Sequence, residues 1–152
     1  MNKIIIGCDP DSSKSGFAIY INGKLDTLGC MTLVEFYEYL NNDNLPTITF
    51  DNVELHIENV NGISSNSFSV NKKDSLPVKL KKAEHVGKCK QAQTEIERIA
   101  ENFGIKVIHH PISKQWKKNK GIFEKLTGWT GRSNEDSRSG AYMGYLGLTQ
   151  SK

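Results

Sequence analysis

"IIIGCDPDSSKSGFAIY", residues 4–20, decides how this chain reads. Ile4, Ile5 and Ile6 run without polar alternation, the pattern of a strand over residues 3–8 that is buried on both faces. The run stops on Asp9, with Pro10 behind it. A Ser/Lys/Gly turn leads into a second strand, Gly16 to Ile21. Asn22-Gly23 then forms a two-residue hairpin signal, because both residue types accept positive φ. A carboxylate in the place of Asp9 is either a turn residue or a ligand. The stretch itself leaves both open.

Outward from it, a third strand runs from Lys24 to about Gly29. Thr32 and Glu35 make a capping box for a helix carrying Val34, Tyr37 and Leu40 and ending near Asn42. Val53, Leu55 and Ile57 alternate with Glu54, His56 and Glu58, which predicts a strand with one polar face. Asn61 to Ser75 is Ser/Asn-rich and patternless; loops of this length in a compact domain are usually functional or disordered. A long helix over roughly 78–103 carries a stripe of Cys89, Ala92, Ile96, Ile99 and Phe103 and is terminated by Gly104. Ile105 to Ile108 is a last strand, ended by His109-His110-Pro111. Two shorter helical segments follow, the final one opened by a Ser133/Asp136 capping box. Gly140, Gly144 and Gly147 give that helix one smooth face for close approach to a sheet.

The order β-β-β-α-β-α-β-α joins a hairpin-linked triplet to two strands reached through helices. Such crossovers set parallel strands side by side with helices on the faces. The expected fold class is α/β, a five-stranded mixed sheet in a single domain over residues 1–152; its order, 3-2-1-4-5, is what the family resemblance given below implies. If the first and fourth strands are parallel neighbours, Asp9 and Glu58 fall at matching C-terminal ends, where open α/β sheets place their ligands.

Composition narrows the function classes. At 152 residues the chain is long enough to bury roughly 68–70% of its unfolded surface in one core. No apolar run approaches a membrane span, and no signal-peptide pattern opens the chain. Cys8, Cys30 and Cys89 are odd in number and widely spaced, as in reduced thiols of a cytoplasmic protein. No GxxxxGK[ST] loop and no Ser/His/Asp or Cys/His nucleophile set is visible. Net charge is +3, and lysines gather in two groups, residues 72–90 and 114–125. Each group is a solvated face or a phosphate-contacting patch.

Three acids stand out: Asp9 and Glu58, each closing an apolar strand, and Asp136 in the first turn of the last helix. Singly, each has a structural explanation as a turn residue, a wet strand face or a helix cap. Jointly they are oxygen ligands of the kind hard divalent ions prefer. Two such ions held ~3.5–4 Å apart can clamp the attacking and leaving oxygens of a phosphodiester.

Residues 4–20 resemble the opening of RuvC-type Holliday junction resolvases, where a strand ends in Asp-Pro and a Gly follows in the next strand. "LHIENV" (55–60) resembles that family's second motif, a strand ending in Glu. "GIKVIHHPISKQWKK" (104–118) resembles its late strand with Pro and Lys, and "SNEDSRSGA" (133–141) the acidic start of its final helix. The ordered set spans nearly the whole chain and looks closest to short phage-type members of this RNase H-like superfamily.

The resemblance implies metal ligands at Asp9, Glu58 and Asp136, two Mg²⁺ or Mn²⁺ ions, a homodimer and a branched DNA substrate such as a four-way junction. It implies a role beside the scissile phosphate for Lys117. The family's usual fourth acid falls at Ser139 here, so Glu135 or a water would take its place. Candidate DNA contacts are Lys14, Phe68, Lys72, Lys73, Lys81, Lys82, Lys118, Arg132 and Arg138, with Phe68 the one aromatic of the Asn61–Ser75 loop. His109 and His110 are candidates for a substrate or water contact, and Trp116 and Trp129 for base stacking or packing anchors. Gly87, Cys89 and surplus apolar surface on the long helix would supply the dimer contact. Competing readings are an RNase H-like nuclease on RNA or an RNA/DNA hybrid, a junction-binding protein whose chemistry is weakened, and a sugar-kinase-like ATPase, for which 152 residues supply too little chain. A host cytoplasm is the expected location for a phage-encoded protein.

Overall fold

A computed structural model describes residues 2–42, 44–45, 50–63 and 71–150. Phe68 lies outside the described residues. Five strands form one sheet of order β3-β2-β1-β4-β5: β1 Ile4–Asp9, β2 Ser15–Ile21, β3 Lys24–Met31, β4 Val53–Glu58 and β5 Lys106–His110. Among the described residues four helices complete it: α1 Leu33–Asn41, α2 Leu76–Asn102, α3 Lys120–Thr127 and α4 Glu135–Gln150. The β2–β3 turn uses the left-handed pair read from the sequence, with φ of 50° at Asn22 and 83° at Gly23. The Thr32/Glu35 capping box closes at both bonds, and Gly104 ends α2 with φ of 76°.

Strand alternation divides the core in two. Ile4, Ile6 and Cys8 of β1 face α1 and α2 with Phe17, Ile19, Leu55, Ile57, Phe36, Ile96 and Ala100. Ile5 of β1 faces the other way with Ala18, Tyr20, Trp116, Phe123 and Ala141. Because β1 and β4 run parallel with Ile5 opposite Glu54 and Gly7 opposite His56, the odd residues of β1 and the even ones of β4 share a face. Alternation therefore carries Asp9 and Glu58 to the same side of the sheet.

That side is covered by α4, at very short range. A Cβ on Gly7 would strike the Gly140 carbonyl oxygen and reach 2.5 Å from Gly144 N. One on Gly144 would lie 2.6 Å from the Tyr20 ring, and one on Gly147 2.6 Å from the His56 ring. The glycine face expected of the last helix thus forms a seam in which helix backbone meets strand backbone.

One alternative falls and one expectation is corrected here. The wet-face explanation of Glu58 does not hold: His56 and Glu58 are 3% and 4% exposed. The absence of a side chain at Gly147 makes room for the imidazole beneath α4. The last helix is capped not by Ser133 and Asp136 but one residue on: Asn134 Oδ1 accepts from the Ser137 amide at 2.8 Å, and Ser137 Oγ accepts from the Asn134 amide at 2.9 Å. Both registers offer a hydroxyl or amide cap three residues from a second polar group, so sequence alone did not separate them. The register used leaves the Asp136 carboxylate free of capping.

Candidate active site

At the C-terminal ends of β1 and β4 lies a cleft of about 230 Å³, lined by Asp9, Asp11, Glu58, His85, Cys89, Lys117 and Asp136 among others. Asp9 and Glu58 are there because their strands are parallel neighbours. Asp136 is there because the glycine seam draws the start of α4 onto β2; a Cβ on Gly16 would strike the Asp136 carbonyl oxygen.

Four charged groups face one another at close range. Glu58 Oε1 accepts from the Ser113 amide at 2.9 Å, and the neighbouring Asp9 carboxyl acts on it across the cleft. Burial, then the neighbouring Asp9, push Glu58 up from 4.5 to about 8. Burial, then Asp11 and Asp9, raise Asp136 as well. Burial alone would lower the Lys117 ammonium, but Asp9 and Glu58 outweigh it and hold Lys117 above its ordinary value. Lys117 Nζ stands 3.3 Å from Asp9 Oδ2. The contact is an ion pair without hydrogen-bond alignment, so this fully buried oxygen has no donor among the described residues. A buried carboxylate oxygen without a donor, beside a second carboxyl forced to keep its proton, is a donor set that fits a divalent cation.

Lys117 is held from behind. Trp116 is buried, at φ of 66°, a left-handed conformation costing a non-glycine residue roughly 1–2 kcal/mol. Its indole packs against Phe123, Tyr142 and Tyr145. Arg138 donates through Nε to the Trp116 carbonyl at 3.0 Å, through Nη2 to the Lys117 carbonyl at 2.5 Å, and through Nη1 to Ser133 Oγ at 3.0 Å. Arg138, expected among the DNA contacts, is therefore turned inward at 8% exposure. Its planar fork suits two adjacent carbonyls. Trp116 is an anchor rather than a stacking platform.

The other expected residues divide. Glu135 is exposed and does not line the cleft, whereas Asp11 does; the carboxylate that joins the three is the one two residues after Asp9. Ser139 is fully buried, with no partner for its Oγ among the described residues, and lies outside the cleft lining. Lys14, Lys72, Lys73, Lys81, Lys82, Lys118 and Arg132 are exposed; Lys14 lies 3.7 Å from Glu35 and Lys82 2.6 Å from Asp74. Trp129 is half-buried and donates to the Arg132 carbonyl. His109 meets Glu97 at 2.5 Å. Gly87 is exposed on α2.

His110 is buried and stacked on His56, Nε2 to Nδ1 at 2.7 Å, while His56 Nε2 meets Glu54 at 3.1 Å. Sequence reasoning missed this pair, which is diagonal across β4 and β5: His56 lies opposite Ile108, and His110 opposite Glu58. In this contact one ring donates and the other accepts. Burial lowers both pKa values. A depressed histidine favours folding fully above its unfolded pKa of about 6.5 and loses that contribution as pH falls. Glu58 acts oppositely: its raised pKa erodes stability as pH climbs from 4.5 towards about 8. In Glu58→Gln, where that opposing contribution is gone, the urea midpoint should fall between about pH 7.5 and about pH 5; a flat profile would show that the pair accommodates a proton.

The central parallel β1–β4 pair, the antiparallel β1-β2-β3 meander and the helices on both faces define an RNase H-like fold of the RuvC type. Two solved structures similar to this chain carry the same fold. One is Thermus thermophilus RuvC in complex with a Holliday junction substrate, at TM-score 0.63 and 10% identity, covering 97% of this chain and 94% of that one. Another is the structure of Thermus thermophilus RuvC, at TM-score 0.55 and 10% identity, covering 97% and 96%. No family model matches the sequence, nor does any curated protein. At 10% identity the likeness is one of fold.

Proposed function

We propose that this chain is a divalent-metal-dependent endonuclease that cuts four-way or otherwise branched DNA. The convergence of Asp9, Glu58 and Asp136 on one cleft, with a buried Asp9 oxygen inside it that accepts no hydrogen bond among the described residues, is the observation that carries the reading. Asp9, Glu58 and Asp136 would hold two ions, Mg²⁺ or Mn²⁺. Bound divalent cations supply the charge that phosphodiester displacement requires at its attacking and leaving oxygens.

The chain's own groups do the rest. Glu58 gives up its proton when the cleft is loaded, and the Ser113 amide keeps its other oxygen oriented. Lys117, released from Asp9, offers its ammonium to a phosphate oxygen. Exposed Lys14, Lys72, Lys73, Lys81, Lys82, Lys118 and Arg132 hold the DNA arms by phosphate contact and shape. Symmetric cutting of two strands calls for two copies. Exposed Leu76 and Leu80 on α2, 67% and 61% accessible, support a homodimer, to be weighed by light scattering.

The test is cleavage of a four-way junction, a plain duplex and an RNA/DNA hybrid side by side, with and without Mg²⁺. Junction-selective, Mg²⁺-dependent nicking is the expected result; equal or preferential cutting of the hybrid would sink the substrate assignment. A serine at position 139, buried outside the cleft where the family has an acid, favours a second reading as a junction binder with weakened chemistry. That protein would bind the junction and leave it intact. Within the main reading, Arg138→Lys keeps the charge but loses the fork, so Lys117 loosens. Single-turnover cleavage should slow about tenfold, the equivalent of ~1.4 kcal/mol, with junction affinity unchanged. An equal loss of affinity would instead place Arg138 in DNA binding.

A further inference from the structure

We infer that Asp11, His85 and Cys89 form a binding site for a thiophilic divalent ion of the Zn²⁺ class, separate in chemistry from the all-oxygen carboxylate site beside it. The three come from distant parts of the chain. Asp11 lies in the turn after β1, and His85 and Cys89 are four residues apart on α2, on one helix face.

The distances fit tetrahedral coordination. Cys89 Sγ lies 3.6 Å from His85 Nε2 and 3.7 Å from Asp11 Oδ1, and His85 Nε2 lies 3.8 Å from the same oxygen. A tetrahedral ion with ordinary Zn–S, Zn–N and Zn–O bond lengths needs edges of about 3.4–3.6 Å. Closing the remainder requires a few tenths of an ångström from His85, whose side chain is 60% exposed and free to turn. Asp11 is less free, because its amide donates to Ser15 Oγ at 3.0 Å and its Oδ1 accepts from the Ser12 amide at 2.6 Å. The carboxylate is thereby aimed at α2 with coordinating capacity left.

Ligand softness separates the two sites. Sulfur and imidazole favour Zn²⁺ and its neighbours over Mg²⁺, which demands oxygen. Three protein ligands leave one tetrahedral position for water or a phosphate oxygen. All three residues line the cleft of Asp9, Glu58 and Asp136, so that position opens towards the same space. Without an ion, Cys89 is a poor nucleophile: burial and Asp11 push its thiol up to about 11. An ion here would also tie the helix α2 to the β1–β2 turn.

The inference does not depend on nuclease activity, and its test does not read it. The full chain is titrated with Co²⁺ and followed for the thiolate-to-cobalt band in the near ultraviolet, then back-titrated with Zn²⁺. One equivalent of Co²⁺ should give the band, Zn²⁺ should erase it, and excess Mg²⁺ should not. Cys89→Ser should lose the band, and His85→Ala, at an exposed position that tolerates change, should lose stoichiometric binding. Asp9→Asn and Glu58→Gln should keep it. No band in the native chain, a band surviving in Cys89→Ser, or its loss in Glu58→Gln would each overturn the site. If Cys89→Ser does not fold, His85→Ala decides alone. A chain that takes up cobalt this way and cuts no DNA would retain this site and lose the nuclease reading.

Discussion

Asp9→Asn should abolish junction cleavage and leave junction binding intact. Asp9 is buried in the cleft, 5% exposed, with Lys117 on one side and Glu58 on the other. Replacing it removes several kcal/mol of charge stabilisation from the metal-bound state, or about three decades in rate. Mg²⁺ should raise the melting temperature of the parent chain by mass action and leave that of Asp9→Asn unmoved. Binding is also tied to pH. Below about 8 the cation has to displace the proton on Glu58, so Mg²⁺ affinity should climb roughly tenfold per pH unit up to that point and then level off. Calorimetric titration at a series of pH values checks this. Undiminished nicking by Asp9→Asn would remove Asp9 from the metal site, and pH-independent affinity would remove Glu58.

Gly16→Ala should be strongly destabilising for a single added methyl group. Its Cβ would land on the Asp136 carbonyl and 3.0 Å from Ser137 N. Backbone cannot swing aside as a side chain can, so the cost should sit near the top of the overpacking range, about 3 kcal/mol. The displaced element is the turn of α4 that carries Asp136, so surviving protein should also need more Mg²⁺. Gly29→Ala serves as the control, because its Cβ meets nothing within 4 Å. Urea midpoints of the two variants, with Mg²⁺ titrations of each, make the comparison. Similar midpoints would mean that helix and sheet are less tightly apposed than the seam implies.

The contrast between these two glycines marks where sequence reading stops. The three isoleucines, the Asn-Gly turn, the Thr32/Glu35 box and the helical stripe around Ile96 are local signals that mark the elements, while the sheet order came with the family resemblance. Asp9 and Glu58 were legible because each ends an apolar run, and parallel pairing carries such ends to one place. What escaped depends on contacts far apart in the chain. His56 became a core residue through a missing side chain at Gly147, 91 positions later. Asp11 reads as an ordinary turn acid until α2 brings His85 and Cys89 against it. Arg138, charged and flanked by polar residues, has nothing local to distinguish it from a phosphate-binding arginine. Its partners are two carbonyls on the segment before α3.

Those two carbonyls bear on how quickly the cleft can work. Residues 111–119 form no helix or strand, and a free segment of that kind would leave Lys117 searching many conformations. The indole buried at Trp116 and the guanidinium of Arg138 end that search as the chain folds. The ordering entropy, about 1–2 kcal/mol per residue, is thus met once, in the folding transition, rather than at each arrival of substrate. A lysine delivered by a loop then behaves like one mounted on a helix.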